Sequence, residues 1–550
     1  MKPAKQYFET SLMQTRIDEM ELNGDWSNRL FFDSLRYWAS RQPDAIAIKD
    51  SFGGISWDAF VAEVEAVSCG LLELGVRPGV VVQIQLPNWR HFVISVAAVE
   101  RIGAVVNPVS TIVRSNELAV MSELAQPMVV ITASNFRGFE LASMHAQLRE
   151  ECDWVKELIV VGLDAPVNAM TWDELVEQGR FSAYDRSAVE LVTPTPNDVC
   201  ELIFTSGTTG EPKGVMHTQN TLNAASKTFM STVCEGIKPN FSDSAPEGLI
   251  FHLALTLGDQ NGYLYGIRAP LESGGQIVLQ DVWDSKECLR LIEKHKVQVS
   301  MGSASFLTDL LEAKSLKDSE LSEWKRFVCV GASIPASVLE RADETLPCVV
   351  LPGWGMTECG LLTVGQPIDS LERRLSDGYP HPGNSVRVVD DKGLTVVNRE
   401  GNLQCQGSFC FVGYLQGRES TESCWDGGWF DTGDRASVDS SGYIKILGRN
   451  QDVINRGGVN VPVTEIEDVL LRHEAVANVA IVGKSGNQLG EAACAFVIPI
   501  HADLELEDLT TFLEENNITE QFWPDSLALV ESFPMTPSGK VQKYKLRLVL

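Results

Sequence analysis

Residues 201–214 read ELIFTSGTTGEPKG: an apolar start that breaks into hydroxyls and glycines and ends on one lysine. Leu202–Phe204 has the apolar character of a buried strand, so the loop sits at a strand end. Glycine lets main-chain N–H groups approach an anion closely, and successive N–H groups form a nest for oxygen atoms. Around Gly207 and Gly210, Thr205, Ser206, Thr208 and Thr209 add hydroxyl donors, and Lys213 adds a point charge. This composition suits a triphosphate. It does not suit a P-loop ATPase, whose GxxxxGK[ST] lysine opens a helix. Here Pro212 stands before the lysine and Gly214 after it.

Strand-like and helix-like runs alternate on either side of this loop. VVVQIQL (80–86), AVVNPV (104–109), MVVITA (128–133), ELIVVG (157–162) and FVCVGA (327–332) read as strands, and HFVISVAAVERIG (91–103) reads as a helix. Such alternation predicts α/β layering with parallel sheets. The last hundred residues read as a separate small α/β unit. A helix is expected over 464–473 with Thr464 as its N-cap, a strand over 476–483, a helix over 506–517 and a strand over 526–532. The boundary falls near Arg449–Gln451, which divides the chain into 1–449 and 450–550.

With 550 residues the chain is too long for one core, and its 44% hydrophobic and 22% charged content is that of a globular protein. The net charge of -29 argues against nucleic acid or an anionic membrane as partner. Twelve cysteines show no CxxC pair and no zinc spacing, so they read as reduced, small apolar residues. The N-terminal MKPAKQYFETSLMQ lacks an apolar signal-peptide region, and no apolar run is long enough to span a bilayer. A cytoplasmic location is expected.

TSGTTGEPKG (205–214) resembles the nucleotide-binding signature of the adenylate-forming superfamily, which holds acyl-CoA synthetases, adenylation domains and beetle luciferases. Further motifs follow in the family's order. GASIP (331–335) resembles the segment lining the adenine site, which implies roles for Gly331, Ala332 and Ser333. GWGMTECG (353–360) matches the element in which Trp354, Gly355 and Met356 flank the nucleotide, Thr357 contacts the α-phosphate and Glu358 holds Mg²⁺. WFDTGD (429–434) supplies Asp434 for the ribose hydroxyls, and Arg449 matches a position near ribose and phosphates. In PMTPSGKVQKYKLR (534–547), Lys540 stands where the family keeps its adenylation lysine. The resemblance implies an α/β fold: a large N-terminal domain of several subdomains with mixed sheets flanked by helices, and a small mobile α/β C-terminal domain. It also implies ATP and Mg²⁺, with coenzyme A as co-substrate.

The implied chemistry is attack of a carboxylate on the α-phosphorus, then displacement of AMP by a thiol. Lys540 bridges carboxylate and ATP, and the small domain rotates about Gln451, where the family usually has Asp or Lys. After rotation, Gly457 and Gly458 of NRGGVNVP face the site and leave room for pantetheine.

The acid itself is less legible. FHLALTLGDQNGYLYG (251–266) aligns with the element bordering the acyl pocket, where relatives read Pro-Leu-x-His-x-x-Gly; this chain has Thr256 for the proline and Asp259 for the histidine. A carboxylate there repels the incoming acid unless it is protonated, turned away or paired with a substrate cation. Tyr263, Phe306 and Trp354 are candidates to line an apolar pocket, and Gln219 replaces a common histidine with no readable consequence. Segments such as NPVSTIVRSNEL (107–118) and VLQDVWD (278–284) resemble alicyclic (cyclohexanecarboxylate-type) and short-to-medium-chain acyl-CoA ligases. The rivals are an enzyme loading an aryl, acyl or amino acid onto a carrier-protein thiol, and a homologue that binds without catalysing. A homodimer is compatible with the sequence but not specified by it.

Overall fold

The computed structural model describes residues 8–184, 189, 192–206, 212–239, 246–331, 334–456, 459–484, 491–501, 504–535 and 541–550. Two large sheets carry most of the chain. In the first, eight strands lie in the order Gly413–Tyr414, Pro212–Thr218, Val199–Ser206, Val105–Pro108, Val81–Gln85, Val129–Ala133, Glu157–Val161, Met170–Thr171. From Val199–Ser206 onward the pairing is parallel, and strands buried on both faces read as unbroken apolar runs. Gln83 is one of several polar exceptions. It donates to Asn107 Oδ1 at 2.8 Å, and Asn107 donates to the Leu202 carbonyl at 2.7 Å, so a buried amide ladder crosses three strands.

The nine strands of the second sheet run Tyr379–Pro380, Gly360–Val364, Val349–Met356, Arg326–Cys329, Val299–Gly302, Ile250–Leu253, Gln276–Leu279, Ile46–Asp50, Gly53–Ser56. Val349–Met356 changes role along its length. Up to Pro352 it pairs in parallel with Arg326–Cys329, and from Gly353 it forms the antiparallel arm of a hairpin with Gly360–Val364. One apolar cluster, including Trp57, Phe92, Leu257 and Leu351, lies between the two sheets. An antiparallel sheet follows, built on Asn384–Val389, Glu400–Gly407, Trp429–Val438 and Ile444–Arg449. Beyond it, Ile454 to Leu513 supply a separate apolar cluster over the three strands Val476–Lys484, Ala492–Pro499 and Ser526–Leu529.

The strands and helices expected from sequence are present with ends shifted by a few residues; the run expected as 526–532, for example, stops at Leu529. One cap is corrected. The helix expected at 464–473 is Val463–Leu470 with Pro462 at its N-cap position. Thr464 lies inside it, and its hydroxyl donates to the Leu447 carbonyl at 3.1 Å. The cysteines are free thiols, most of them buried. Among the described residues no helix is long and apolar enough to cross a membrane.

Gln219 gains a reading that its sequence did not give. It is buried in a polar knot between the helix Arg90–Arg101, the helix Gln219–Val233 and the π-helical turn Gly262–Arg268. Arg268 pairs with Glu100 at 2.6 Å and donates to Gln219 Oε1 at 2.9 Å, while Gln219 donates to Glu100 Oε2 at 2.7 Å. Arg268 and Glu100 have almost no exposure, and Arg268 also pairs with Glu272 at 3.1 Å, so the three charges depend on one another. Glu100→Gln is therefore expected to cost about 3–5 kcal/mol in urea unfolding.

Candidate active site

The phosphate-loop strand Val199–Ser206 and its partner Pro212–Thr218 form a hairpin in which Thr205 lies opposite Lys213. Lys213 therefore stands at the start of a strand, as its flanking Pro212 and Gly214 require, and not at the head of a helix. Gly207, Thr208, Thr209 and Gly210 lie outside the described residues, as does the side chain of Ser206.

The element containing Glu358 is a hairpin tip. Thr357, Glu358 and Cys359 connect Val349–Met356 to Gly360–Val364, with Gly360 at φ +57°. Glu358 is only 5% exposed. Its carbonyl accepts from Phe411 N at 2.7 Å, and its Oε1 accepts from the Tyr414 hydroxyl at 2.8 Å. Burial pushes its carboxyl up, opposed by the Tyr414 hydroxyl, by main-chain hydrogen bonding, and by the charges of Arg449 and Lys213. Next along the tip, the Thr357 carbonyl accepts from His217 Nε2 at 2.8 Å. Burial lowers His217 to about 4, so the ring is neutral near pH 7 and its Nε2 carries the proton for this bond.

Asp434 is 3% exposed on the strand Trp429–Val438, opposite Arg449 of Ile444–Arg449. Its Oδ1 pairs with Arg449 Nε at 2.7 Å, and its Oδ2 accepts from the Trp354 indole at 3.1 Å. Trp354 thus faces the Asp434 side of the assembly. Gly331 follows the strand Arg326–Cys329 in a left-handed conformation at φ +91°, at the C-terminal edge of parallel strands where α/β sheets bind ligands. Ala332, Ser333, Gly457, Gly458 and Lys540 lie outside the described residues. Gln451 lies in the short turn Asn450–Asp452, whose Asp452 pairs with Arg547 at 2.7 Å.

The sequence-expected residues thus meet from three parts of the chain: Lys213 from one large sheet, Trp354 and Glu358 from the other, Asp434 and Arg449 from the antiparallel sheet. Tyr414, His217 and Phe411 were missed. Their roles are contacts between strands far apart in sequence, and no local motif signals them.

One pocket expectation needs correction. Tyr263 has no exposed surface, and its hydroxyl donates to Glu100 inside the buried knot, so it is core and not pocket wall. Phe306 is half-buried and stacks on Trp283 with ring centroids 3.8 Å apart. Asp259 is half-buried at the head of the π-helical turn. Its Oδ1 accepts from Asn261 N at 3.0 Å and from the Asn261 side chain at 3.3 Å, and burial pushes its carboxyl up. A cleft of about 650 Å³ lined by Thr232, Tyr379, His381 and Asn384 lies elsewhere and includes no motif residue. Converging charge, not that cleft, marks the site.

On the phosphate-loop strand itself, Glu201 is fully buried and accepts from Gln260 Nε2 at 3.2 Å. Burial raises it from the usual 4.5 to about 8. The unfolded chain loses this proton near pH 4.5 and the folded chain only near 8, so Glu201 costs stability as pH rises through that window. Urea unfolding of Glu201→Gln should therefore show a stability that falls less from pH 5 to pH 8 than that of the unmodified chain. The slope removed is at most about 1.4 kcal/mol per pH unit; identical slopes would contradict the buried proton.

Comparison with known proteins gives the family. The AMP-binding enzyme family matches residues 35–415, and the AMP-binding enzyme C-terminal domain matches residues 465–540. The chain is 29% identical to the medium-chain fatty-acid–CoA ligase of Escherichia coli (strain K12), over 95% of this chain and 91% of that protein. It is 28% identical to the 2,3-dihydroxybenzoate-AMP ligase of Bacillus subtilis (strain 168), over 96% of this chain and 94% of that protein. In fold it is similar to the anthranilate CoA ligase AuaEII in complex with anthranoyl-AMP, with a TM-score of 0.84, 22% identity and coverage of 95% and 97% of the two chains. The chain belongs to the AMP-binding enzyme family, within the adenylate-forming superfamily.

Proposed function

We propose that this chain is an ATP-dependent carboxylic acid–CoA ligase that forms AMP and pyrophosphate through an acyl-adenylate, acting on a medium-chain or alicyclic acid. The observation that carries the reading is the meeting of Lys213, Glu358, Arg449 and Asp434 around one region. The similarity to a medium-chain ligase over nearly the whole chain supports the acid class.

A carboxylate and a triphosphate repel, so the protein must position both and neutralise charge. Lys213 and the hydroxyl- and glycine-rich loop hold the β- and γ-phosphates that leave as pyrophosphate. Asp434 accepts the ribose hydroxyls, and Arg449 lies beside it to meet ribose and phosphate oxygens. Glu358 suits Mg²⁺ chemically: it offers a hard carboxylate oxygen, and such an ion completes its shell with phosphate oxygens and waters. Among the described residues no group of three or more acidic, His or Cys side chains offers a denser metal cage. Bound there, the ion would offset phosphate charge. Lys540 is assigned to the incoming carboxylate and the α-phosphate oxygens. The thiol step follows rotation of residues 450–550 about Gln451, which brings Gly457 and Gly458 to the pantetheine path.

A second reading has a specific support, the similarity to an aryl-acid AMP ligase. In that case the thiol belongs to a carrier protein. A panel of fatty, alicyclic and aryl acids incubated with ATP and free CoA, with AMP and thioester measured together, separates the two. The ligase reading expects both products in equal amounts with a medium-chain or alicyclic acid. Exchange of pyrophosphate into ATP without thioester favours the carrier reading, and no exchange with any acid removes both. In the same assay Lys540→Ala should slow adenylation by about 10²–10³-fold while sparing thiolysis of supplied acyl-AMP. Equal losses in both half-reactions would contradict its role.

A further inference from the structure

Tyr414 lies outside the motifs read from the sequence above, yet it touches two of their charged residues. The short strand Gly413–Tyr414 adds to the edge of the first sheet, pairing antiparallel with Pro212–Thr218 so that Tyr414 lies opposite Val215. The Leu415 N–H donates to the Gly214 carbonyl at 2.7 Å, and the Tyr414 N–H donates to Thr421 Oγ1 at 2.9 Å, so its backbone is held on both sides. The residue is 7% exposed. Its hydroxyl donates to Glu358 Oε1 at 2.8 Å, and Lys213 Nζ lies 5.1 Å from the centroid of its ring.

We propose that Tyr414 is a positioning residue that couples the phosphate-side lysine to the metal-side carboxylate: its hydroxyl fixes Glu358 while its ring face guides Lys213. This rests on the ligase reading, in which those two groups share one metal–triphosphate complex. Glu358 and Lys213 sit on different sheets, and Tyr414 bridges them through a ring that cannot bend. A long side chain in its place would have to order several rotors to do the same. Held by the phenol, one oxygen of Glu358 is occupied and the carboxylate plane is set, which leaves its second oxygen to face an incoming ion. The aromatic face offers Lys213 an attractive resting position.

Equilibrium titration of the full chain with ATP, once with Mg²⁺ and once in EDTA, tests the coupling. Tyr414→Phe keeps the ring and loses the hydroxyl; it should reduce the affinity gain that Mg²⁺ brings by about 10-fold, the scale of one hydrogen bond to a charged group. Its binding of ATP in EDTA should stay unchanged. Tyr414→Leu also removes the ring face and should weaken binding in EDTA by about 2–5-fold. In a Glu358→Gln background, Tyr414→Phe should have no further effect on the Mg²⁺ gain. A full Mg²⁺ gain in Tyr414→Phe overturns the proposal, whatever happens to its melting midpoint, since a lower midpoint alone means a purely structural role. An equal loss in the Glu358→Gln background overturns it too. The failures are separable: a chain without acid-dependent pyrophosphate exchange loses the ligase reading, whereas one that exchanges normally while Tyr414→Phe keeps the full gain loses only this inference.

Discussion

A carboxylate withdrawn from water has to be compensated, and the compensation of Glu358 organises the site. Hydrogen bonds reach the hairpin tip from the 411–414 segment and from His217, and the charges of Lys213 and Arg449 lie within electrostatic range. Removing the carboxylate from water costs several kcal/mol unless such partners are in place. Because the partners come from different sheets, the site forms only when the sheets have docked. The fold and the site are one constraint seen at two scales.

The sheets show how that docking is specified. Parallel strands need helical crossovers, which bury both faces and give each strand a C-terminal edge free for ligands. Val349–Met356 leaves its parallel partner after Pro352 and becomes a hairpin arm, carrying Trp354 and Glu358 beyond the sheet. Gly355 permits the close return: a Cβ there would lie 2.0 Å from the Gly360 carbonyl oxygen. Gly353–Gly360 is therefore a geometric device as well as a chemical one.

The layers of the fold and most of the strands were legible in the sequence because parallel strands buried on both faces announce themselves as apolar runs. The chemically typed residues Lys213, Glu358, Asp434 and Arg449 were legible because each sits in a short motif. What escaped depends on contacts across long separations. Tyr263 looks like a pocket aromatic until Glu100, from a helix far earlier in the chain, is seen to take its hydroxyl. Thr464 looks like an N-cap because the motif is local, but Leu447 offers its hydroxyl a carbonyl partner instead. Gln219 and Tyr414 acquire meaning only from side chains that no nearby sequence supplies. Asp259 is intermediate: its oddity is visible in sequence, and its engagement with Asn261 is visible only in the fold.

The account stands on the claim that one nucleotide spans Lys213, Glu358 and Asp434. A crystal structure of the chain with ATP and Mg²⁺ tests it most directly. The account predicts the triphosphate against the 205–213 hairpin, an ion between its oxygens and Glu358, and the ribose hydroxyls on Asp434. Density for the nucleotide elsewhere, for example in the cleft beside Thr232 and His381, with Asp434 and Glu358 untouched, would contradict it.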